Sequence, residues 1–153
     1  MADHVDDFRR VTQRFVRRFG TLSSDSTPCG TPLSTAHAHA LMVLLSRGEL
    51  SQQALGAELC IDKSNVARLC AKMVRAKHVK QRTSDRDGRS RLVSLTAAGT
   101  RLAKEVDGAS RAHFRALLDV IPASRHADVI HALQDIVAAL GSSPPDPLDE
   151  GKR

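Results

Sequence analysis

Apolar residues in the first third of the chain recur at the spacing of helices. Residues 5–19 predict an amphipathic helix, because its apolar side chains follow one another at steps of three or four. They are Val5, Phe8, Val11, Phe15 and Phe19. After a loop-like stretch at 23–32, Ser34 can cap a second helix that runs to about Arg47. This second helix is apolar on most of its sides, so we expect it to be buried.

The next segment predicts two short helices with a tight turn between them. Ser51 is a good N-cap for a two-turn helix that Cys60 and Ile61 interrupt, and Asp62 or Lys63 begins the following one. One face of that following helix is apolar and carries Val66, Leu69, Cys70 and Met73. Its opposite face is polar and basic and carries Lys63, Ser64, Asn65, Arg68 and Lys72. Such a pair is a helix-turn-helix, with the second helix as recognition helix.

Two strand-like runs follow, HVKQRTS and SRLVSLT, on either side of residues 85–88. An Asp-Gly pair between extended segments predicts a hairpin with Asp87 and Gly88 at its tip. Beyond the hairpin, Thr96 can cap a long helix over about 97–120, in which Gly99 and Gly108 are weak points.

Pro122 separates the long helix from a final helix over about 123–140, and residues 141–153 have the composition of a disordered tail. The predicted fold class is therefore mainly α with a small β-hairpin (α+β). The order of elements is that of a winged helix-turn-helix with helical extensions at both ends. The extensions have more apolar surface than the central unit can cover, and two intertwined chains would bury the surplus.

Positive charge is concentrated in one part of the sequence. Residues 63–91 contain ten Lys and Arg against two Asp, a net charge of +8, whereas the rest of the chain carries −2. This distribution is expected of a polyanion-binding element. A solvated basic face is the plainer alternative, but it does not explain the slightly acidic remainder. The absence of Trp and Tyr argues against a module for single-stranded nucleic acid, which relies on aromatic stacking.

Several protein classes are disfavoured by the sequence. A chain of 153 residues is most simply one domain, here about 1–140. It lacks both an apolar run of about 20 residues and a secretory signal, so a soluble cytoplasmic protein is expected. The phosphate-binding GxxxxGK[ST], the nucleophile GxSxG and the metal-binding HExxH motifs are all missing. We therefore expect neither an enzyme nor a cofactor, and no histidine pair has zinc-ligand spacing.

The stretch at 50–82, followed by DRDGRSRLVSLTAAG at 85–99, resembles the MarR family of bacterial transcriptional regulators. The second piece is similar to the family's wing signature, an Asp with closely spaced arginines and then Val-x-Leu-Thr-x-x-Gly. The order of elements supports the resemblance over roughly 5–140. It implies a winged helix-turn-helix over about 50–95, bound to double-stranded operator DNA. It also implies a homodimer formed by the helices at about 5–47 and 97–140. Members of the family are mostly repressors that release DNA when a small ligand binds or a thiol is oxidised.

The recognition helix supplies the first set of candidate DNA contacts. Its opening turn carries Lys63, Ser64 and Asn65, where short polar groups and the helix dipole favour base edges or phosphates. Arg68 could form two hydrogen bonds with a guanine base, and Lys72 is expected to contact a phosphate of the DNA backbone. Two residues of the preceding helix, Ser51 and Gln52, are further candidates for phosphate contacts, although Ser51 is equally well explained as a cap.

The hairpin supplies the second set. Arg89 matches the family's minor-groove arginine, and the resemblance implies that Asp87 orients it through a salt bridge. Planar guanidinium suits a narrow minor groove. Arg86 and Arg91 are expected at phosphates. The alternatives are a simple surface ion pair and, for the whole chain, an interaction module that binds protein or nucleic acid without sequence preference.

The sequence also contains candidate residues for sensing a small ligand, an oxidant or a metal ion. A ligand pocket could lie between the helices of the dimer interface and the DNA-binding region. It would be lined by Phe15, Phe19, His37, Leu41 and His113. Thiol sensing would use Cys29, Cys60 or Cys70; Cys70 is expected as a small buried hydrophobe, and Cys29 as the most exposed thiol. A metal site shared between elements or subunits, for example Cys29 or His37 with His113, is left open.

Overall fold

The computed structural model describes residues 4–22 and 25–141. Apart from Gly141, the predicted disordered tail lies outside the described residues. The chain divides into two compact units, Met1–Ala112 and His113–Arg153, and each is considered by itself below.

The described residues form a mainly helical protein with one small sheet, so the predicted fold class is confirmed. The helices are α1 (His4–Phe19), α2 (Thr35–Arg47), α3 (Gln52–Leu59), α4 (Lys63–Arg75), α5 (Ala97–Asp119) and α6 (His126–Gly141), the last preceded by a 3-10 turn at Ala123–Arg125. The strands are β1 (Leu50–Ser51), β2 (Val79–Thr83) and β3 (Arg91–Leu95).

Side-chain caps begin the central helices where the sequence predicts them. The Ser34 hydroxyl accepts a hydrogen bond from the N–H of His37 at the start of α2. Ser51 does the same for Ala54 at the start of α3, at 3.0 Å. Between α3 and α4, Cys60 lies in the left-handed region, with φ of +53°, and turns the chain sharply. Such caps satisfy backbone donors that have no partner within the helix.

The sheet has three antiparallel strands in the order β1-β3-β2, one more than the predicted hairpin. Leu50 of β1 pairs with Val93, which also pairs with Gln81 of β2. The segment between α2 and α3 therefore contributes a short strand, Leu50–Ser51, to the sheet. Through β1, the hairpin of β2 and β3 (residues 79–95, hereafter the wing) is joined to the start of α3.

The core of the first unit lies between α2, the helix-turn-helix and the sheet. Its largest fully buried side chains are Leu41, Leu55, Met73, Val93 and Cys70. The prediction that α2 is central and buried is confirmed, since Leu41 and Leu44 are almost inaccessible to solvent.

Gly99, near the start of α5, is required by a close approach of two backbone segments. A Cβ atom at this position would lie 1.8 Å from the carbonyl oxygen of His78. Thr96, which caps α5 by accepting from the N–H of Gly99, also donates its own N–H to His78 O at 3.0 Å. Gly99 is thus a packing requirement and not the weak point that helix propensity predicts. Gly108 has open space around it.

Long apolar faces are exposed in the single chain. On α1 the exposed side chains include Val5, Phe8, Val11 and Phe15. Within the second unit they are Phe114, Leu117, Val120, Ile130, Leu133, Val137 and Leu140. Exposed apolar surface of this extent marks an interaction surface.

Candidate nucleic-acid interface

The two faces of α4, the recognition helix, are divided as its sequence predicts. Val66, Leu69, Cys70 and Met73 are all buried. The polar side is exposed along its whole length, and consists of Lys63, Ser64, Asn65, Arg68 and Lys72. The apolar side fixes α4 on the core, so its polar side faces solvent and is available to a partner.

A chain of hydrogen bonds runs along the exposed side of α4. Asp62, its N-cap, accepts from the backbone N–H of Asn65 at 2.8 Å and from its side-chain amide at 2.6 Å. The amide oxygen of Asn65 accepts in turn from Nη2 of Arg68, also at 2.6 Å. These bonds to Asn65 lower the pKa of the Asp62 carboxyl. The side-chain amide of Asn65, a predicted DNA contact, is thus hydrogen-bonded through both its nitrogen and its oxygen and holds the guanidinium of Arg68.

Ser51 and Gln52 also have internal partners. The Ser51 hydroxyl caps α3, and the side-chain oxygen of Gln52 accepts from the amide of Gln81 on β2 at 3.0 Å. Both residues are half-buried. The side chain of Gln52 therefore connects the helix-turn-helix to the wing, whereas that of Ser51 serves as a helix cap.

The tip of the wing consists of a loop, residues 84–90, and the first residue of β3, and it exposes three arginines. Arg86, Arg89 and Arg91 all point into solvent. The turn is closed by a hydrogen bond from Ser90 N to Asp87 O at 3.0 Å. Asp87 Oδ1 accepts from the backbone N–H of Arg89 at 3.0 Å. The predicted salt bridge between Asp87 and the Arg89 guanidinium is thus replaced by a backbone contact, because the short Asp side chain folds back over its own turn.

One groove lies between α3, the start of α4 and the wing loop. It has a volume of about 670 Å³ and is lined by Gln53, Ala57 and Lys63 on the helical side. Arg89, Ser90 and Arg91 line it from the wing. The structure therefore brings Lys63, at the start of the recognition helix, to the same groove as Arg89 and Arg91 of the wing, whereas Ser64, Asn65, Arg68 and Lys72 do not line it.

Two residues of this region carry no prediction from the sequence, Glu49 and Arg82. Arg82 donates to both carboxylate oxygens of Glu49, at 3.1 Å from Nε and 2.7 Å from Nη2. The hydrogen bonds to Arg82 lower the pKa of Glu49, and those to Glu49 raise the pKa of Arg82. The partners are 33 residues apart, so spacing gives no signal of the pair.

The predicted ligand-pocket residues have different surroundings in the single chain. Leu41 has no solvent-exposed surface and packs in the core. Phe15 and Phe19 stack on each other along α1, with ring centroids 5.2 Å apart. His113 belongs to the second unit, where its ring meets that of Phe114 edge to face.

His37 is buried and pairs with a histidine that the sequence did not single out. Its Nε2 lies 3.0 Å from Nδ1 of His78, at the junction between α4 and β2. Burial, followed by the nearby charges of His78 and Lys72, lowers the pKa of His37 from 6.5 to about 4. The neutral ring is therefore the form that the fold accepts.

Acid should destabilise the protein through this histidine. Below pH 6.5 the unfolded chain binds a proton at His37 and the folded chain resists it until about pH 4. The free energy of unfolding should fall in this window by at most about 1.4 kcal/mol per pH unit. Denaturant titrations between pH 7 and 4 should show a shallower fall for His37→Asn than for the unsubstituted protein. Parallel pH profiles would contradict the assignment.

The three cysteines differ in exposure. Cys60 is exposed, Cys29 is half-buried and Cys70 is buried, so the prediction that Cys29 is the most exposed thiol is wrong. The turn between α3 and α4 turns the Cys60 side chain outward. Burial raises the pKa of Cys70, in keeping with its predicted place in the core.

Within residues 4–22 and 25–141, no cluster of three or more His, Cys, Asp or Glu side chains could hold a metal ion. In the same ranges, none of the helices is sufficiently long and apolar for a membrane span.

Comparison with known proteins gives matches in sequence and in structure. Residues 31–90 match the sequence model of the MarR family. No curated protein matches the chain. The PcaV transcriptional regulator of Streptomyces coelicolor, solved with its natural ligand, is 19% identical with a TM-score of 0.68, and the match covers 91% of this chain and 94% of that one.

Two further solved structures are similar. MepR of S. aureus, solved with DNA, has a TM-score of 0.69 at 14% identity, over 91% of this chain and 99% of that chain. Bordetella bronchiseptica BpsR, whose DNA binding is regulated by 6-hydroxynicotinic acid, has a TM-score of 0.67 at 20% identity, over 88% and 99%. The sequence match to the MarR family model is confined to residues 31–90, and the structural matches show that the chain has the winged-helix fold of these regulators.

Proposed function

We propose that the protein is a sequence-specific regulator of transcription that binds double-stranded operator DNA as a homodimer and acts as a repressor. The observation that carries this proposal is a basic surface on adjoining elements: Lys63 of α4 lines one groove with Arg89 and Arg91 of the wing, and the polar side of α4 beyond Lys63 is exposed. A major groove admits a helix, and the phosphates beside it favour a basic surface. No enzymatic activity is proposed.

The contacts divide into reading and positioning. Arg68, held by Asn65, would read a guanine, because a guanidinium fits its O6 and N7 atoms. Arg89 would enter the minor groove, because a narrow minor groove has a strongly negative potential that favours arginine. Lys63, Ser64, Lys72, Arg86 and Arg91 would bind the phosphate backbone. For Ser51 and Gln52 we propose at most backbone contacts, since their side chains have internal partners.

A homodimer is supported by the apolar faces of α1 and of the second unit. Phe8 and Phe15 are each more than half exposed, which costs free energy unless a partner covers them. A two-fold dimer would also place two recognition helices on successive major-groove faces, as a pseudo-palindromic operator requires.

Release by a small molecule is the regulation we favour. Two of the similar regulators are described with a ligand, PcaV with its natural ligand and BpsR with 6-hydroxynicotinic acid. Thiol modification is the alternative and is favoured by one observation, the exposure of Cys60 within the helix-turn-helix. A modified thiol there would stand beside the DNA-facing surface.

Binding to the DNA upstream of the protein's own gene tests this function. Fluorescence anisotropy at about 50 and 200 mM salt would compare that DNA with a scrambled duplex of the same composition. We expect the upstream DNA to bind roughly a thousandfold or more tightly at the higher salt. A ratio near one at both salts would instead favour the non-specific interaction module, because phosphate contacts alone depend on salt without discriminating sequence.

A further inference from the structure

We propose that Glu49 is a positioning residue for the wing: it holds Arg82 at the base of the hairpin and so fixes where Arg89 meets DNA. This inference rests on the proposed function. It assigns to an acidic residue, at the edge of a strongly basic surface, a role that strengthens the binding of a polyanion.

The geometry of the pair supports a fixed orientation. The two parallel hydrogen bonds from Arg82 to Glu49 constrain both planar groups at once, unlike a single contact. A third bond, from Arg82 Nη1 to Asp85 at 3.4 Å, reaches into the wing loop. The same guanidinium thus connects the chain before β1 with the loop that carries Arg86 and Arg89.

The ion pair of Glu49 and Arg82 lies where it can hold the wing loop in place. Arg82 is opposite Leu92 in the β2–β3 ladder, one residue from the last pair, Thr83 with Arg91. Glu49 directly precedes β1, and β1 leads without a break into α3. The contact therefore ties the wing to the helix-turn-helix at the strand end next to the loop, beside the bond between Gln81 and Gln52.

The arginines of the wing fall into two groups, one paired with carboxylates and one exposed to solvent. Arg82 is paired with two carboxylates, whereas Arg86, Arg89 and Arg91 extend into solvent. An exposed ion pair contributes little to stability. The effect of Glu49 is therefore expected in DNA binding and in the order of the wing, with little effect on global unfolding.

Glu49→Gln distinguishes this role from that of an ordinary surface acid, because the two roles predict opposite changes in the affinity for DNA. Removing a negative charge near DNA ordinarily raises affinity for any duplex. If Glu49 positions the wing, affinity for the upstream DNA should instead fall roughly threefold to tenfold, while affinity for scrambled DNA does not fall. Glu58→Gln is the matched control, because Glu58 is a nearby acid that pairs with Arg47 of α2 and not with the wing.

A double substitution locates the effect in the wing. In an Arg89→Ala background, Glu49→Gln should cause no further loss of affinity for the upstream DNA, because the side chain it positions is gone. An increase in affinity for Glu49→Gln equal to that of Glu58→Gln would overturn the proposal, as would a full additive loss in the Arg89→Ala background.

A measurement without DNA keeps this proposal separate from the proposed function. The amide of Ser84 donates to Ser90 O at 2.8 Å across the base of the loop, so its hydrogen exchange reports the order of the wing. We expect exchange at Ser84 to accelerate in Glu49→Gln and to remain unchanged in Glu58→Gln. Unchanged exchange in both variants would overturn the wing anchor even if the protein is a specific regulator. Accelerated exchange in a protein that does not discriminate DNA would overturn only the function.

Discussion

Gly99→Ala is expected to lower the free energy of unfolding by about 3 kcal/mol, at the upper end of what overpacking costs. The added methyl group would lie 1.8 Å from the carbonyl oxygen of His78 and 2.8 Å from its carbonyl carbon. Both are backbone atoms, so no side chain can rotate away. Relief requires α5 to move off the start of β2, which would strain the bonds from the N–H and hydroxyl of Thr96 to His78 O.

Gly108→Ala provides the matched control on the same helix. Apart from its chain neighbours and the backbone of its own helix turns, nothing lies within 4 Å of a Cβ at this position. The substitution should therefore raise the free energy of unfolding by about 0.5–1 kcal/mol through helix propensity alone. Denaturant unfolding of both variants at one protein concentration compares them directly. Equal effects of the two substitutions would contradict the close approach at Gly99.

Arg68→Ala is expected to cause the largest loss of sequence discrimination. Loss of a bidentate arginine contact should cost about 1–3 kcal/mol at one base pair, or roughly fivefold to more than a hundredfold in affinity for the preferred sequence. Affinity for unrelated DNA should change little. The hydrogen bond from Arg68 to Asn65 holds the guanidinium in place before DNA arrives, which lowers the entropy cost of the contact.

Two comparisons define the role of Arg68. Arg68→Lys keeps the charge but loses the planar fork, so it should lose nearly as much discrimination as Arg68→Ala. Arg91→Ala should weaken binding to all duplexes alike and reduce the slope of affinity against salt by about one. Anisotropy titrations on a set of duplexes with single base-pair changes measure both quantities. If Arg68→Ala and Arg91→Ala behaved identically, the division between reading and positioning would be wrong.

The helical part of the fold could be predicted from periodicity and caps. Val66 and Met73 on one side of α4, with Arg68 and Lys72 on the other, follow from 3.6 residues per turn. The caps Ser34, Ser51 and Thr96 act only on neighbouring backbone groups, so local sequence is enough to find them.

Features that depend on distant residues could not be predicted in this way. Strand β1 has only two residues, too few for an alternating pattern. The partners His37 and His78, and likewise Glu49 and Arg82, meet only after the chain has folded. The residues of the candidate site were predicted from the sequence, and the structure adds the local hydrogen bonds of Asp87 and Asn65, whose short polar side chains bond to their own turn and helix.

Selection of binding sites from random-sequence double-stranded DNA tests most directly the claim that this surface reads sequence. We predict enrichment of a pseudo-palindrome with half-sites about one helical turn apart, and a guanine in each half-site whose enrichment disappears with Arg68→Ala. Recovery of DNA without an enriched motif, equally well by the unsubstituted protein and by Arg68→Ala, would contradict it.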